Sequence, residues 1–217
     1  MCNLYDLGRN LRHRSRNDWE DALARALKES RKAFGIRKTD PGLVFTLSAK
    51  KPVARTMRWG FHRSFNPAVN NARSDKLDGM WLPSWQEKRR CLIPVSTFYE
   101  WTGPAGKKQT FAFEPRSEVN VLWAAGLWEP APETTSLREK CYTMLTTASQ
   151  GIVSEIHARM PAFLQPDQFK EFFSAADPRP LLESGNGNLV HYRCENPLKN
   201  PAAHEGPVRQ EMLPGFE

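Results

Sequence analysis

The stretch Arg90-Cys91-Leu92-Ile93-Pro94-Val95-Ser96-Thr97-Phe98-Tyr99-Glu100-Trp101 contains two apolar, β-prone runs, 91–95 and 97–101, with one carboxylate, Glu100, inside the second. β-Branched and aromatic residues at this density favour strands that pack on a half-buried surface. Outward from it, Gly103-Pro104-Ala105-Gly106-Lys107-Lys108 has hairpin-loop chemistry and predicts a return strand over 109–113. Further strands are expected at 121–128 and 141–147, and upstream at 43–47 and 53–61. Asp40-Pro41-Gly42 and the Asn-Pro and Asn-Asn steps of 66–71 read as turns. Short strands at this spacing predict a barrel or a strongly curved sheet.

Helical patterns flank these strands. Asn17 and Asp18 offer an N-cap to a segment whose Trp19, Leu23, Ala26 and Leu27 keep one face apolar, and Gly35 supplies a stop. A short helix or turn is expected over 149–156, an extended piece over 160–164, and a helix from Pro166 to about Ala176 bearing Phe169, Phe172 and Phe173. Residues 2–8 read as a short strand. The last ~25 residues, rich in Pro, Gly and Asn, read as a surface wrap with a flexible tail over 211–217. No repeat or linker divides the 217 residues, so a single domain over 1–217 is expected.

With 25% charged and 40% hydrophobic residues, the composition is that of a soluble globular protein. No run approaches the ~18–20 apolar residues of a membrane span, and the N-terminal segment lacks a signal-peptide core. A cytoplasmic protein with no membrane partner is therefore expected. Cys2, Cys91, Cys141 and Cys194 are scattered, without a Cys-x-x-Cys pair, which argues against a disulfide framework and a structural zinc site. No metal or other cofactor is expected. The net charge of +7 favours an anionic partner. Its cations form separate clusters: Arg9, Arg12, Arg14 and Arg16, then Lys50, Lys51, Arg55 and Arg58, then Lys88, Arg89 and Arg90. Seven tryptophans and twelve phenylalanines supply faces on which bases can stack.

Cys2 follows a methionine that an aminopeptidase is expected to remove, because cysteine is small. The product carries an α-amine and a thiol on neighbouring carbons, with unperturbed pKa values of ~7.7–8 and ~8.5. Such a 1,2-aminothiol condenses with an aldehyde: the amine forms an imine, and the thiol closes a five-membered thiazolidine.

Four stretches stand out together: Met1-Cys2-Asn3, Asn71-Ala72-Arg73, the 90–101 run, and Ile156-His157-Ala158-Arg159-Met160-Pro161. In that order and at these separations they resemble the SRAP family, the SOS response-associated peptidase proteins also described as abasic-site processing proteins, over residues 2–210. The resemblance implies an α+β fold, a β-barrel-like curved sheet core flanked by helices. It also implies a monomer that presents Cys2 in a basic groove for single-stranded DNA, where Cys2 captures the aldehyde of an abasic site and shields it from strand cleavage. Glu100, in an apolar run that should raise its pKa, is the expected acid. His157 is expected to assist proton transfer and reversal of the crosslink. Asn71 is expected to orient the opened sugar or the amine, while Arg73 and Arg159 hold flanking phosphates. Trp59, Phe65 and Trp101 are the candidates for stacking against bases.

The chain departs from the family pattern at two places. Many members begin Met-Cys-Gly-Arg, whereas Asn3 and Leu4 stand here, so Arg9 or Arg12 is the expected substitute for a phosphate contact. Lys38-Thr39-Asp40-Pro41-Gly42 replaces the usual Tyr-Asn-x-Ala-Pro segment. Two other classes compete. An N-terminal cysteine also serves as nucleophile in amidohydrolases, and the basic clusters alone would suit a noncovalent single-stranded DNA-binding module. The peptidase name points to self-cleavage of Met1 or self-release from DNA, since no Ser/His/Asp set stands out for a general protease.

Overall fold

The computed structural model of the protein describes residues 2–8, 17–30, 33–116, 121–131, 140–183 and 188–200. Along the chain run β1 (Leu4–Asp6), α1 (Asp18–Glu29), β2 (Ile36–Arg37), β3 (Pro41–Ser48), β4 (Lys51–Trp59), β5 (Phe61–Arg63), β6 (Asn66–Val69) and β7 (Asn71–Arg73). The short helix α2 (Leu82–Gln86) precedes β8 (Arg90–Val95), β9 (Thr97–Thr102), β10 (Gln109–Pro115), β11 (Leu122–Glu129) and β12 (Cys141–Ala148). Last come β13 (Arg159–Pro161), β14 (Phe163–Leu164), α3 (Phe169–Ser174) and β15 (Leu189–Cys194).

The pairing of β3 with β4, β4 with β12, β12 with β11, β11 with β8 and β8 with β3 closes a ring. This is the expected barrel. Where β11 and β12 diverge, residues 159–164 fill the gap, β13 pairing with β12 and β14 with β11. A second sheet, in the order β15-β10-β9-β1-β2, continues from the barrel because β8 and β9 are one extended run bent at Ser96. The bend is held by Ser96, whose backbone N–H and hydroxyl donate to the Asp6 carbonyl at 2.8 and 3.1 Å. Every residue of β8 is buried, which explains why 90–95 reads as an unbroken apolar run and not as an alternating one.

α1 begins as expected: the Asn17 side chain accepts from Trp19 and Glu20 N–H groups at 3.0 Å, and Asp18, Glu20 and Asp21 complement the N-terminal end. Its Trp19 seats among Phe45, Trp123, Phe169 and Phe173, at ring separations of 5.0 to 6.4 Å, and so ties α1 and α3 to the barrel. The helix ends at Glu29, not at Gly35. Gly35, at φ 61°, instead turns the chain so that its N–H reaches the buried Asp6 carboxylate at 2.7 Å.

The Asn-rich segment at 66–71 is mostly strand, not turn: Asn66–Val69 form β6 and Asn71 opens β7, with Asn70 between them. The guanidinium of Arg58, almost wholly buried, donates to the carbonyls of Gly60 and Pro67 at 2.7 and 3.1 Å and pins the β5–β6 hairpin. Asn71 then pairs in parallel with Met144 of β12. β3 and β4 meet through Ala49 and Lys50, both at positive φ (48° and 64°), a conformation usually supplied by Asn-Gly. The helix expected from Pro166 opens as a 3-10 turn over Pro166–Gln168 before α3, closed by Gln168 Oε1 accepting from Gln165 N–H at 2.8 Å. β15, which pairs with β10 across all six residues, had no sequence counterpart. Residues 201–217, most of the expected surface wrap, lie outside the described residues.

The basic clusters divide by role. Arg90 is 1% exposed; its guanidinium lies over Trp85 and donates to the carbonyls of Phe172, Ala175 and Ala176 at 2.8, 2.8 and 3.1 Å. Lys88 adds a bond to Ser174 O at 2.9 Å. These two cations cap the carbonyl end of α3, where positive charge is favoured. Arg9, Arg12, Arg14 and Arg16 lie outside the described residues.

Candidate functional site

β1 runs antiparallel beside β9, with Tyr5 opposite Phe98 and Asp6 opposite Thr97, which brings Cys2 toward the segment holding Glu100. Asp6 anchors this strand: its buried carboxylate takes Tyr99 Oη–H at 2.7 Å as well as Gly35 N–H. From the other side, Asn71 Nδ2 donates to the Cys2 carbonyl at 2.8 Å. Asn70 Nδ2 reaches the same carbonyl at 3.2 Å and Asn3 Oδ1 at 3.2 Å. Cys2 is completely buried, its thiol directed to Leu4 O at 3.4 Å.

Burial, and secondarily the negative charge of Glu100, pushes the Cys2 thiol far above its ordinary pKa. The unperturbed value expected from sequence therefore does not apply, and the thiol is neutral at pH 7. Glu100 is itself 2% exposed, and burial raises its pKa against the opposing pull of positive groups that include His157. Glu100 thus acts electrostatically on Cys2 and is itself acted on by His157. His157 Nδ1 lies 3.0 Å from Arg159 N and 2.9 Å from Arg159 O, accepting from the first in one tautomer and donating to the second in the other. Either way Nδ1 is committed to the backbone.

Beside this cluster, Arg73 at the end of β7 lies opposite Thr146 of β12, and Arg159 at the start of β13 lies opposite Ala148 of the same strand. Both converge on Asp75. Arg73 makes a two-pronged pair with it, at 3.1 and 2.5 Å, and Arg159 approaches the same carboxylate at 3.2 Å. The Arg159 guanidinium also donates to Thr146 O. Arg73 holds the Asp75 carboxyl down to a pKa of about 2, chiefly through their hydrogen bond. Asp75 is a local partner for Arg73, two residues away, whereas Arg159 reaches it across 84 positions only through the tertiary fold.

The aromatic candidates separate. Trp59 is wholly buried, stacked on Tyr142 and bonded through Nε1 to Asn70 O at 2.9 Å, so it supports the site from the core and offers no face to a base. Trp101 packs with Leu4, Tyr99 and Ala112 on the opposite face of β9 from Glu100. Phe65 is 69% exposed at the tip of the β5–β6 hairpin. Asn70 escapes sequence reasoning because an Asn-Asn pair carries turn chemistry whichever role it fills. The departures at positions 3 and 4 have local partners: Asn3 accepts from Asn70, and Leu4 joins the Tyr99 cluster. Among the described residues no group of His, Cys, Asp and Glu is arranged to hold a metal ion, and no helix is long and apolar enough to cross a membrane. The four cysteines are free.

The fold and site define a mixed α/β protein whose closed barrel and side sheet converge on the second residue of the chain. The chain belongs to the SOS response associated peptidase (SRAP) family, whose model matches residues 1–199. It is 27% identical over 149 residues to the abasic site processing protein YMR114C of Saccharomyces cerevisiae, covering 62% of this chain and 37% of that protein. It is 29% identical over 127 residues to the abasic site processing protein YoqW of Bacillus subtilis, covering 56% of this chain and 55% of YoqW. The abasic site processing protein HMCES of Xenopus tropicalis is 30% identical over 146 residues, 54% of this chain and 43% of HMCES. The chain thus spans only part of the length of these curated relatives. A crystal structure of a protein from Bordetella bronchiseptica superposes with a TM-score of 0.70 at 19% identity, over 90% of this chain and 100% of that one. Another, from Bacteroides thetaiotaomicron, gives 0.63 at 16% identity, over 82% and 90%. At these identities the likeness concerns the fold.

Proposed function

We propose that this protein processes abasic sites in single-stranded DNA by covalent capture on Cys2 once Met1 has been removed. The observation that carries the reading is the meeting of Cys2, Asn71 and Glu100 from three distant parts of the chain, with His157 acting on Glu100. The relatives named as abasic site processing proteins support it. In this reading Asn71 fixes the Cys2 backbone through Nδ2, while its buried Oδ1, which has no hydrogen-bond partner in the structure, accepts from the freed α-amine or from a hydroxyl of the opened sugar.

The amine adds to C1′ of the ring-opened sugar. Glu100, whose hold on a proton burial strengthens, gives that proton to the departing water as the imine forms. The Cys2 sulfur then adds to the imine carbon. Its proton passes to the Glu100 carboxylate while the ring nitrogen keeps one hydrogen, giving a neutral thiazolidine. Ring closure removes the imine that would otherwise acidify C2′ and cut the strand. Arg73 and Arg159 take flanking phosphates in exchange for Asp75, and His157 Nε2 serves the sugar oxygen and the reverse reaction. Removal of Met1 by self-cleavage and slow self-release belong to the same site.

The test is a denaturing gel of the mature protein mixed with a single strand bearing one abasic site, with mass spectrometry to locate the adduct. A crosslink on Cys2 that disappears when removal of Met1 is blocked supports the proposal. Equal, noncovalent binding to intact and abasic strands would leave a simple binding module as the answer.

A further inference from the structure

At the far end of β12 from Arg73 and Arg159, a cavity of about 360 Å³ opens where β3 finishes and β8 and β12 begin. Four cations line it: Arg55, Lys88, Arg90 and Lys140. Among the described residues none of the four is paired with a carboxylate, and no acidic residue lines the cavity. Asp177 is felt by Arg90, but it contacts Arg179 at 3.3 Å. This differs from the capture site, where Asp75 already neutralises the arginines.

Arg90 makes the imbalance informative. Its side chain is buried, its terminal nitrogens serve only neutral carbonyls, and its Nε is buried without an acceptor. A buried cation lacking a counter-charge is costly, and an anion at the cavity would relieve it. Lys88 reaches the cavity from a backbone at φ 53°, the left-handed position after α2 where glycine is the easier residue. The Thr46 hydroxyl accepts Arg55 Nε–H at 3.0 Å and so keeps its own proton to donate, as does the hydroxyl of the exposed Ser48. Trp128 and Phe173 supply aromatic walls, with Lys140 Nζ 4.6 Å from the centre of the Trp128 ring.

The geometry points to a second binding site for a phosphate-bearing nucleotide unit, its phosphate among Arg55, Lys88 and Lys140 within the field of Arg90, and its base against Trp128 or Phe173. A free nucleotide and one unit of a DNA strand share this chemistry. The site goes beyond abasic-site capture and does not depend on it.

The test titrates the mature protein with inorganic phosphate, with dAMP and with a short undamaged single strand, using calorimetry. The double variant Arg55→Ala, Lys140→Ala changes two exposed side chains outside the capture site. Its melting temperature and its Cys2 crosslinking to a short abasic strand report folding and capture separately. The expected result is saturable dAMP binding, weakened at least tenfold in the variant, with melting temperature retained. Competition between the strand and dAMP identifies the strand as the source of the phosphate; absence of competition identifies a free nucleotide. The proposal is overturned if none of the three probes saturates, or if the folded variant binds as well as the wild type. A wild-type protein that binds dAMP but forms no Cys2 crosslink with an abasic strand would count against capture alone.

Discussion

The side-chain amide of Asn71 donates to the backbone carbonyl of Cys2 at 2.8 Å, across 69 positions of sequence, and so holds the second residue of the chain against the end of the barrel. Asn71→Ala removes this bond and leaves the carbonyl to Asn70 at 3.2 Å. A net hydrogen-bond contribution of ~0.5–1.5 kcal/mol corresponds to a roughly 2- to 10-fold slower crosslinking rate. Asn70→Ala should cost less, and time courses on denaturing gels with an abasic strand rank the two.

Cys2→Ser and Cys2→Ala separate the two groups of the aminothiol. The serine variant forms an imine but should give labile adducts or strand breaks, and the alanine variant should bind without forming a thiazolidine. Heat-stable adduct and cleaved strand are read on the same gel. A crosslink from Cys2→Ala as stable as that of the wild type would falsify the role of sulfur.

Glu100→Gln should trade activity for stability. Burial raises the Glu100 pKa in the folded protein, so the folded state holds this proton more tightly than the unfolded chain. Its favourable contribution is complete below the unfolded value of ~4.3 and is lost as pH rises through the folded value. The variant should therefore melt higher than the wild type at pH 7, with the gap narrowing toward pH 4. Crosslinking should fall about 10²- to 10⁴-fold, the range of a lost general acid. Melting curves between pH 4 and 8 check the sign.

Asp75→Asn should tighten binding to single-stranded DNA. It releases Arg73 and Arg159 from a carboxylate that both approach, at little cost to the melting temperature because the Arg73–Asp75 pair is exposed. Every further phosphate that the freed arginines neutralise should steepen the salt dependence by about 0.7 in log K against log salt. With Asp75 held down to a pKa of about 2, the wild-type pairing should not respond to pH between 4 and 8. Fluorescence anisotropy across a salt series measures both effects.

Gly42→Ala should destabilise the barrel. Tyr5 Oη and Tyr142 Oη meet at 2.5 Å in the core, and a Cβ on residue 42 would lie 2.0 Å from the Tyr142 oxygen and 2.7 Å from that of Tyr5. Overpacking of this kind costs ~1–3 kcal/mol, and the upper end is expected because both obstructing oxygens are buried. The urea midpoint should fall accordingly, with no change in slope.

Much of the fold was legible locally. The strands at 90–95, 97–102, 109–115, 122–129 and 141–148 announced themselves by apolar, β-branched and aromatic residues, and α1 by Asn17 and the Trp19 periodicity. Residues 66–71 misled because asparagine and proline carry the same turn signal whether or not a buried Arg58 holds them in a hairpin. Gly35 misled because its positive φ serves the Asp6 carboxylate rather than a helix end.

The sequence by itself determined the β-rich core and the family and supplied the candidate reactive group, because these depend on residue type, local periodicity and the order of four motifs. Only the tertiary structure decided which of those residues meet. Pairing of β1 with β9 and of β7 with β12 is a long-range choice of register that no local pattern encodes. Burial was likewise decided in three dimensions. It made Trp59 core, turned Arg90 into a cap for α3 and kept the Cys2 thiol neutral, since the solvation of a polar group depends on what the fold places around it.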